Sequence, residues 1–511
     1  MKKIIKYLFL LTGGSFILAS CNDFLDREPL DSVTPDNFFF TENDLAAYAV
    51  KHYNFTTHEG FNAGIWKNDN ATDNQAATDY DKKWIPGQWK VPEAYDNPAS
   101  NDPWYFSTIR EANYFLETVV PRFEKGEIEG SETNIKHYIG EMYFLRAKNY
   151  LSKLETFGDF PIIKNTLPDE SESLIQASKR APRYKVAHFI LEDLDQAISL
   201  LTNNISGGKN RITKNAALLL KSRAALFEAS WLTYHKGTAL VPGGPGWPGK
   251  AEDIADFNID TEIAFFLKEA KAAAKEVIGN AALVQNTAKD CMDETVKTDE
   301  DKYKMSNPYF AQFSANSLEG YSEILMWRAY NLLDYKIVHS APFYIRVGGN
   351  TGFTRQYIES FLCRDGKPIY ATDQYKGDES LLNVRKNRDL RLQLFLMTPG
   401  ETLSPNVMNG TPDLLPEVPQ LLDITEKRCV TGYQVRKGLS GNWYRDGNTA
   451  IEGCPVYRAA EAYLNYIEAD CMEHNGTSIG SEAAGYWGDL RERAGLPRDY
   501  TVTVNNTDLS K

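Results

Sequence analysis

The sequence lacks the patterns that build metal sites, disulfide frameworks and nucleic-acid surfaces. Its 511 residues include six cysteines, and none forms a Cys-x-x-Cys pair, which argues against a zinc ribbon or a disulfide scaffold. Acidic residues outnumber basic ones, 69 to 56, and lysine and arginine form no long run. We therefore expect no nucleic-acid partner. After the first twenty residues no apolar segment approaches the ~20 residues that cross a bilayer.

Catalytic signatures are also missing. The sequence contains no His-Glu-x-x-His, no Gly-x-Ser-x-Gly and no Gly-x4-Gly-Lys-Ser/Thr motif, and its seven histidines are scattered singly, so the usual zinc, nucleophile and phosphate sites are not indicated. We predict no catalytic residue, no metal ligand and no cofactor. A carboxylate pair for glycoside hydrolysis stays open, because the separation that it needs is spatial and not sequential.

The first 21 residues have the layout of a lipoprotein export signal. Three lysines precede an apolar run over 7–18, and the small residues of 18–20 lead into Cys21. Cleavage before Cys21 would free this residue for acylation, and two or more acyl chains anchor a protein stably. We predict a signal peptide over 1–20 and a lipid on Cys21. The alternative is a secreted protein whose signal merely ends at a cysteine.

Apolar residues recur at steps of three and four over 134–156 and 213–236, which predicts two amphipathic helices. Thr213 is the expected N-cap of the second helix, and Gly158 is the expected terminator of the first. Further helical patterns lie near 110–124, 184–202, 260–278, 455–474 and 481–494. Small residues on the helices, such as Ala147, Ala224 and Ala460, favour close packing. The predicted fold class is all-α, a tetratricopeptide-like helical scaffold with long irregular loop insertions.

The loop insertions cover 52–108, 236–258, 286–380 and 398–452 and hold most of the proline, glycine, asparagine and aromatic residues. Within the first, the stretch 67–82 is rich in Asp and Asn, whose oxygens suit calcium. The EF-hand pattern fails because Asn74 stands where glycine is needed. Calcium binding is therefore possible but not predicted. The simpler interpretation is a solvated loop with Asx turns.

Two aromatic-rich stretches are the candidate binding sites. A carbohydrate needs exposed aromatic faces flanked by hydrogen-bonding side chains. The first stretch offers Trp66, Asp69, Asp73, Tyr80, Trp84 and Trp89, and the second offers Tyr330, Tyr335, Tyr344 and Arg346. Trp327, just before the second stretch, is expected to be packed. The alternative for every one of these rings is burial as a small core beneath a long loop.

Several blocks of sequence resemble the SusD/RagB family of Bacteroidetes surface lipoproteins. The most specific are GEMYFLRA at 140–147 and FGDFP at 157–161; the others are CNDFLD at 21–26 with Phe38 and Phe39, REAN at 110–113, TKNAA at 213–217, RAAL at 223–226, DGKP at 365–368 and RDLRL at 388–392. We interpret these blocks as scaffold, with Arg146 and Arg223 pairing with acids or carbonyls of neighbouring helices. Family members usually continue beyond the segment 491–496, so we expect a C-terminally truncated chain, in which Tyr486 and Leu490 would be unusually exposed.

The resemblance implies an N-terminal SusD-like region over 21–235 and a C-terminal RagB/SusD region over 236–511. It also implies a lipid-anchored outer-membrane protein, facing the cell exterior, that captures oligosaccharides for a SusC-like TonB-dependent transporter. A RagB-like peptide receptor, a surface glycoside hydrolase and a purely structural partner of the barrel are the alternatives. The last predicts that both aromatic stretches are buried.

Overall fold

A computed structural model describes residues 38–81, 85–87, 104–287, 307–334, 336–399, 419–440 and 448–510, together with the backbone of 402–404 and 413–414. The described part is built mainly from helices. In chain order they are α1 Glu42–Lys51, α2 Ser107–Glu124, α3 Glu132–Phe157, α4 Ser171–Ala177, α5 Arg183–Leu200, α6 Lys214–Tyr234, α7 Ile259–Asn280, α8 Pro308–Ala311, α9 Ala341–Val347, α10 Arg355–Ser360, α11 Leu381–Arg385, α12 Leu390–Phe395, α13 Ala460–Glu473, α14 Ser481–Arg493 and α15 Thr501–Val504.

Short strands form pairs, and two of the three pairs join distant parts of the chain. They are β1 Gln75–Ala77, β2 Ile324–Arg328, β3 Thr351–Phe353, β4 Thr402–Ser404, β5 Asp413–Leu414 and β6 Cys454–Arg458. All three pairs, β1 with β3, β2 with β6 and β4 with β5, are antiparallel and two-stranded. The strands therefore act as local clasps between loops and form no extended sheet in the described residues.

The long helices pack in chain order into one hydrophobic core. α2 and α1 lie against α3, α3 packs on α5, α5 on α6, α6 on α7, and α13 returns from the C-terminal part to pack on α7. Ala147, Ala217 and Ala224 are fully buried at these crossings, where their small side chains let the helix backbones approach closely. This arrangement is the predicted stacked helical scaffold.

The ends of α3 and α6 follow from the sequence as predicted. The Thr213 hydroxyl accepts a hydrogen bond from the backbone N–H of Ala216, 3.2 Å away, and caps α6. Gly158 ends α3 with a φ of 71°, and its N–H donates to the carbonyl of Leu154. A left-handed residue at this position favours glycine, which has no Cβ to clash.

The helix expected over 455–474 is wrong at its start. Residues Cys454–Arg458 form β6, which pairs with β2, and the helix begins only at Ala460. The partner strand lies more than 120 residues away, so no local pattern indicates it. A further helix, α1, was not predicted, although Thr41 and Asp44 form a complete capping box at its start.

Smaller hydrophobic clusters stabilise the loop-rich part. One gathers Ala63, Tyr309, Phe310, Phe313, Ile345, Phe395 and Leu439, with Trp66, Tyr321 and Tyr344 packed on its edge. Trp327 is 5% exposed in another cluster, so the expectation that it is packed is confirmed. These clusters hold the long insertions against the helical scaffold.

The two scaffold arginines pair with acids, as predicted. Arg146 binds Asp193, and Arg223 binds Glu461 through two hydrogen bonds of 2.6 and 2.7 Å that join α6 to α13. In α14, Tyr486 is half-buried between Tyr463 and Tyr466, and Leu490 is half-buried beside Tyr463. The unusual exposure expected for Tyr486 and Leu490 is therefore not observed.

Candidate functional site

Strand pairing brings the first aromatic stretch against a segment nearly 280 residues away. Gln75 lies opposite Phe353, and Ala77 lies opposite Thr351. The hydroxyl of Thr354 donates to the carbonyl of Asp73, and its N–H donates to the carbonyl of Asn74. This clasp fixes the start of the loop that carries the candidate binding residues.

Gln75 is the buried polar centre of this region. Its side-chain amide donates to the carbonyl of Trp66 at 2.9 Å, to Asn70 Oδ1 at 3.0 Å and to Thr351 Oγ1 at 2.5 Å. The Thr351 hydroxyl in turn donates to Asn70 Oδ1. Buried polar groups that are fully bonded in this way hold one conformation, because breaking any bond leaves an unsatisfied group.

A cavity of about 620 Å³ lies directly on this clasp. Its described lining is Ala71, Thr72, Asp73, Gln75, Ala76, Ala77, Asp79, Tyr80 and Asp81. The volume falls within the range of ~300–1,000 Å³ that is typical of small-molecule sites. Two of the predicted binding residues, Asp73 and Tyr80, therefore share one wall.

Tyr80 and the acids give this cavity an open aromatic face beside hydrogen-bond acceptors. The Tyr80 side chain is 68% exposed, so its ring faces are open to solvent. Asp73 and Asp79 are also exposed on the same segment. An open aromatic face suits the CH surface of a pyranose, and carboxylates accept hydrogen bonds from hydroxyls. Asp69 is exposed nearby but is not part of the described lining.

Trp66 is only partly available. Its indole is half-buried and packs edge-on against Phe313, with ring centroids 5.8 Å apart. On another side, Gly438 approaches so closely that a Cβ there would lie 2.1 Å from Trp66 Nε1. Trp66 therefore belongs to the wall that supports the cavity, and its carbonyl holds Gln75.

The prediction that Tyr330 presents a stacking face is corrected by the structure. Tyr330 is 7% exposed, and its hydroxyl donates to the carbonyl of His58 at 2.8 Å. Its ring lies 4.5 Å from that of His339. Burial raises the pKa of the Tyr330 hydroxyl and lowers the pKa of both His58 and His339. This side chain is part of the packed interior because its loop folds back over residue 58.

Tyr344 and Arg346 lie on the short helix α9. Tyr344 is half-buried on the same cluster that holds Trp66, and burial raises the pKa of its hydroxyl. Arg346 is half-buried, with its guanidinium 5.9 Å from the ring of Phe343. The two aromatic stretches therefore meet at one cluster, although Tyr344 and Arg346 are not in the described lining of the cavity.

Three of the predicted binding residues, Trp84, Trp89 and Tyr335, lie outside the described residues, as does the predicted lipid site Cys21. Sequence reasoning missed Gln75 and Thr351, which shape the cavity. An isolated glutamine gives no local signal, because its partners come from a distant strand.

Within the described ranges, no group of three or more histidine, cysteine or acidic side chains has an arrangement that could hold a metal ion. The same residues include no helix with the length and apolarity needed to cross a bilayer. Of the cysteines that the structure describes, Cys363, Cys429 and Cys454 are buried free thiols, and Cys471 is a half-buried one.

Family models match both halves of the chain. One, described as the SusD family, matches residues 296–509. Another, described as starch-binding and associating with the outer membrane, matches residues 23–226. The chain belongs to the SusD family. The resemblance predicted from the sequence blocks is thereby confirmed.

Curated relatives match over part of their length. A SusD-like protein of Formosa agariphila is 26% identical over 258 residues, which is 49% of this chain and 45% of the relative. Another SusD-like protein of that organism is 27% identical over 203 residues, or 39% of this chain and 37% of the relative. The chain thus matches less than half the length of these SusD-like relatives.

Solved SusD-like structures share the fold. A SusD-like protein from Bacteroides fragilis aligns over 92% of this chain and 82% of its own, with a TM-score of 0.61 and 21% identity. A SusD-like carbohydrate binding protein from the same organism aligns over 90% and 79%, with a TM-score of 0.57 and 17% identity. The predicted tetratricopeptide-like helical fold is confirmed.

Proposed function

We propose that this SusD-family chain is a non-enzymatic glycan-binding protein of the outer membrane. A lipid on Cys21 holds it at the cell exterior, where it captures oligosaccharides and delivers them to a SusC-like TonB-dependent transporter. The cavity that β1 lines, which combines the exposed ring of Tyr80 with the carboxylates of Asp73 and Asp79, is the observation that carries the proposal. The description of the matching family as starch-binding and outer-membrane-associated supports it.

Stacking and hydrogen bonding together would hold a sugar in this cavity. A sugar that stacks on Tyr80 covers an apolar face, while Asp73 and Asp79 accept bonds from its hydroxyls. The clasp between Gln75 and Thr351 holds this wall in place before the ligand arrives, which lowers the entropy lost on binding. Trp84 and Trp89 follow Tyr80 closely in sequence, and we propose that they extend the aromatic surface.

Affinity electrophoresis of the mature protein through gels containing single polysaccharides tests this function. We expect at least one neutral or acidic polysaccharide to retard the wild type, and we expect Tyr80→Ala to lose most of that retardation. Tyr234→Ala is the matched control, because Tyr234 is 74% exposed at the far end of α6. Equal retardation of the Tyr80 variant and the wild type would remove this cavity from the site.

The Trp84→Ala/Trp89→Ala double variant tests the extension of the site in the same gels. Its retention should fall while its thermal midpoint stays near that of the wild type. If retention is unaltered, the two tryptophans have no part in binding.

The competing functions are separated by two further measurements on the same protein. Peptides added as competitors should leave glycan retention unchanged; displacement by peptides would favour a receptor of the RagB kind. Reducing ends released from a retained polysaccharide should stay at the level of the blank. Release above the blank would make the chain an enzyme and contradict the proposal.

Delivery of the glycan to a transporter is tested by identifying the proteins that copurify with the chain. A tagged chain purified from the native outer membrane should bring down a TonB-dependent barrel in stoichiometric amount, identified by mass spectrometry. Purification of the chain alone under mild detergent, at several ionic strengths, would contradict the transporter role and leave glycan capture standing.

A further inference from the structure

Lys437 lies in an unusual place beside the candidate site. Its ammonium nitrogen is 4.6 Å from the ring centre of Phe313, 5.4 Å from that of Trp66 and 5.6 Å from that of Phe395. The side chain is half-buried. In the part of the chain that the structure describes, it makes no ion pair and no hydrogen bond to a protein group. Its three N–H donors are therefore not used by the fold.

Of the two acids whose charges act on Lys437, Glu323 is already bound by arginines, whereas Asp69 lies exposed on the first loop insertion. Glu323 binds Arg458 at 2.9 Å and Arg493 at 2.7 Å, while Asp389 binds Arg391 at 2.6 Å. Arg458 also lies over the ring of Phe313, 4.8 Å away, so it shares this ring with Lys437. The carboxylates of Glu323 and Asp389 thus bind arginines, and no described carboxylate contacts the Lys437 ammonium directly.

The pKa of Lys437 reflects this environment. Burial is the main cause that lowers the pKa of Lys437, and the charges of Arg458 and Arg391 lower it further. The charges of Asp69 and Glu323 oppose this decrease, and the resulting pKa is about 7. Near neutral pH the amine thus loses part of its charge, because Asp69 and Glu323 only partly offset the effect of burial. A ligand anion placed here would restore the charge.

Lys437 is joined to the cavity through Trp66. The indole that lies beneath the ammonium belongs to the residue whose carbonyl accepts from Gln75, and Gln75 lines the cavity. Gly438, the next residue, is in contact with the same indole. Lys437 is therefore connected to the lining residue Gln75 through Trp66, although neither Lys437 nor Trp66 is in the described lining.

We propose that Lys437 is the anion-binding residue of the glycan site, so that the captured oligosaccharide carries carboxylate or sulfate groups. This inference rests on the proposed function and names its substrate class. Three aromatic rings lie within 4.6–5.6 Å of the ammonium, and its donors, which the fold does not use, make charge-assisted hydrogen bonds to the sugar's acidic group. Asp73 and Asp79 repel the acidic group and accept hydrogen bonds from sugar hydroxyls instead. The ammonium of Lys437 and these two carboxylates together orient the sugar.

A matched pair of polymers tests the charge requirement. Polygalacturonate and its carboxyl-reduced form share the same backbone and differ in charge; alginate and chondroitin sulfate extend the test to other uronates and to sulfate. We expect at least one acidic polymer to bind the wild type about tenfold or more tightly than a neutral counterpart, as for the loss of one charged hydrogen bond. Lys437→Gln should remove this preference, whereas Lys236→Gln, at the distant end of α6, should keep it.

Proton uptake provides a second measurement on the unaltered chain. Calorimetry of the acidic polymer at pH 7.5, in two buffers of different ionisation enthalpy, should show protons taken up on binding, and affinity should fall as pH rises from 6 to 8. The charged groups that act on Lys437 are Arg458, Asp69, Glu323 and Arg391. Proton uptake that is lost in Lys437→Gln would assign the titration to Lys437 itself.

The outcomes separate the inference from the proposed function. If neutral polymers bind as well as acidic ones and Lys437→Gln changes neither, the inference is overturned and glycan capture stands. If no polysaccharide of either charge binds, the proposed function fails, and this inference fails with it. If Lys437→Gln does not fold, as judged by its thermal unfolding, the polymer pair and the proton uptake of the wild type decide the question.

Discussion

Arg146 and Asp193 form a two-point ion pair inside the helical scaffold. Arg146 Nε donates to Asp193 Oδ2 and Nη2 donates to Oδ1, both at 2.7 Å, and Nη1 donates to Asn113 Oδ1 at 2.9 Å. Both charged side chains are almost completely buried. The pair therefore links α3 to α5 and, through Asn113, to α2.

Removing one partner of this pair should be costly. Arg146→Met leaves a buried carboxylate without its cation, and we expect the free energy of unfolding in urea to fall by about 3–5 kcal/mol. The double variant Arg146→Met/Asp193→Leu should lose less than the single one, because no charge remains buried. Glu192→Gln, which breaks the exposed pair with Lys164, is the control and should cost under about 1 kcal/mol. A double variant less stable than Arg146→Met would contradict this account.

The cap of α6 makes a second prediction. The Thr213 hydroxyl accepts from the N–H of Ala216 and donates to the carbonyl of Leu325 at 3.0 Å. Thr213→Val keeps the shape and loses both bonds, so the free energy of unfolding should fall by about 1–3 kcal/mol. Thr213→Ser keeps the hydroxyl and should retain most of that stability in the same urea titration. A larger loss in Thr213→Ser than in Thr213→Val would show that the methyl group matters more than the hydroxyl and would contradict this account.

Glu482 predicts a pH dependence of stability. Hydrogen bonds from Lys275 first, and then from Tyr466 and Tyr486, lower its pKa from 4.5 to about 2. Because the folded pKa lies below the unfolded one, its contribution is complete above pH 4.5 and disappears as pH falls towards 2. Glu482→Gln should thus cost a few tenths to about 1 kcal/mol at pH 6, with the difference from wild type shrinking towards pH 2. The exposed Glu172→Gln should show no such trend; a constant difference for Glu482→Gln would disprove the linkage.

Gln75 predicts coupling between the buried clasp and binding. Gln75→Met leaves the carbonyl of Trp66 without its donor and removes one of the two donors to Asn70 Oδ1, which should cost about 1–3 kcal/mol of stability. Because β1 forms the cavity wall, retention on a bound polysaccharide should fall as well. Gln196→Met, on the exposed face of α5, is the control and should change neither quantity. If the Gln75 variant is destabilised but its retention is normal, the hydrogen bonds of Gln75 do not contribute to binding.

The lipid anchor is tested by replacing Cys21 and measuring in which cell fraction the protein is found. Cys21→Ala removes the thiol that the lipid would occupy, so the chain should leave the membrane fraction and appear in the soluble one. Its retention on polysaccharide gels should stay that of the wild type, since the cavity lies in the folded body. Membrane association that persists at high salt in this variant would contradict lipid anchoring at Cys21.

The long helices were predictable because their information is local. Apolar spacing located α3 and α6 within about two residues, and a threonine before one and a glycine after the other marked their ends. The predicted start of the helix over 455–474 failed for the opposite reason. Residues Cys454–Arg458 become a strand only because β2 lies beside them.

In the candidate site, too, features set by local sequence were predicted and features set by distant contacts were not. Composition located aromatic and acidic residues in the right stretch, and two of them, Asp73 and Tyr80, line the cavity. Sequence could not distinguish the exposed Tyr80 from the buried Tyr330, because exposure depends on which distant segment covers a ring. Gln75 and Lys437 were equally invisible, since their partners come from other insertions.

The sequence by itself determined the helical scaffold and the SusD-family membership, because helix caps, apolar periodicity and family blocks depend on residues that are close together in the sequence. The tertiary structure alone decided which rings face solvent, where β1 meets β3, and that an ammonium without an acidic partner lies beside Trp66. Those features arise from contacts between residues hundreds of positions apart. Burial and charge at such contacts are properties of the folded chain.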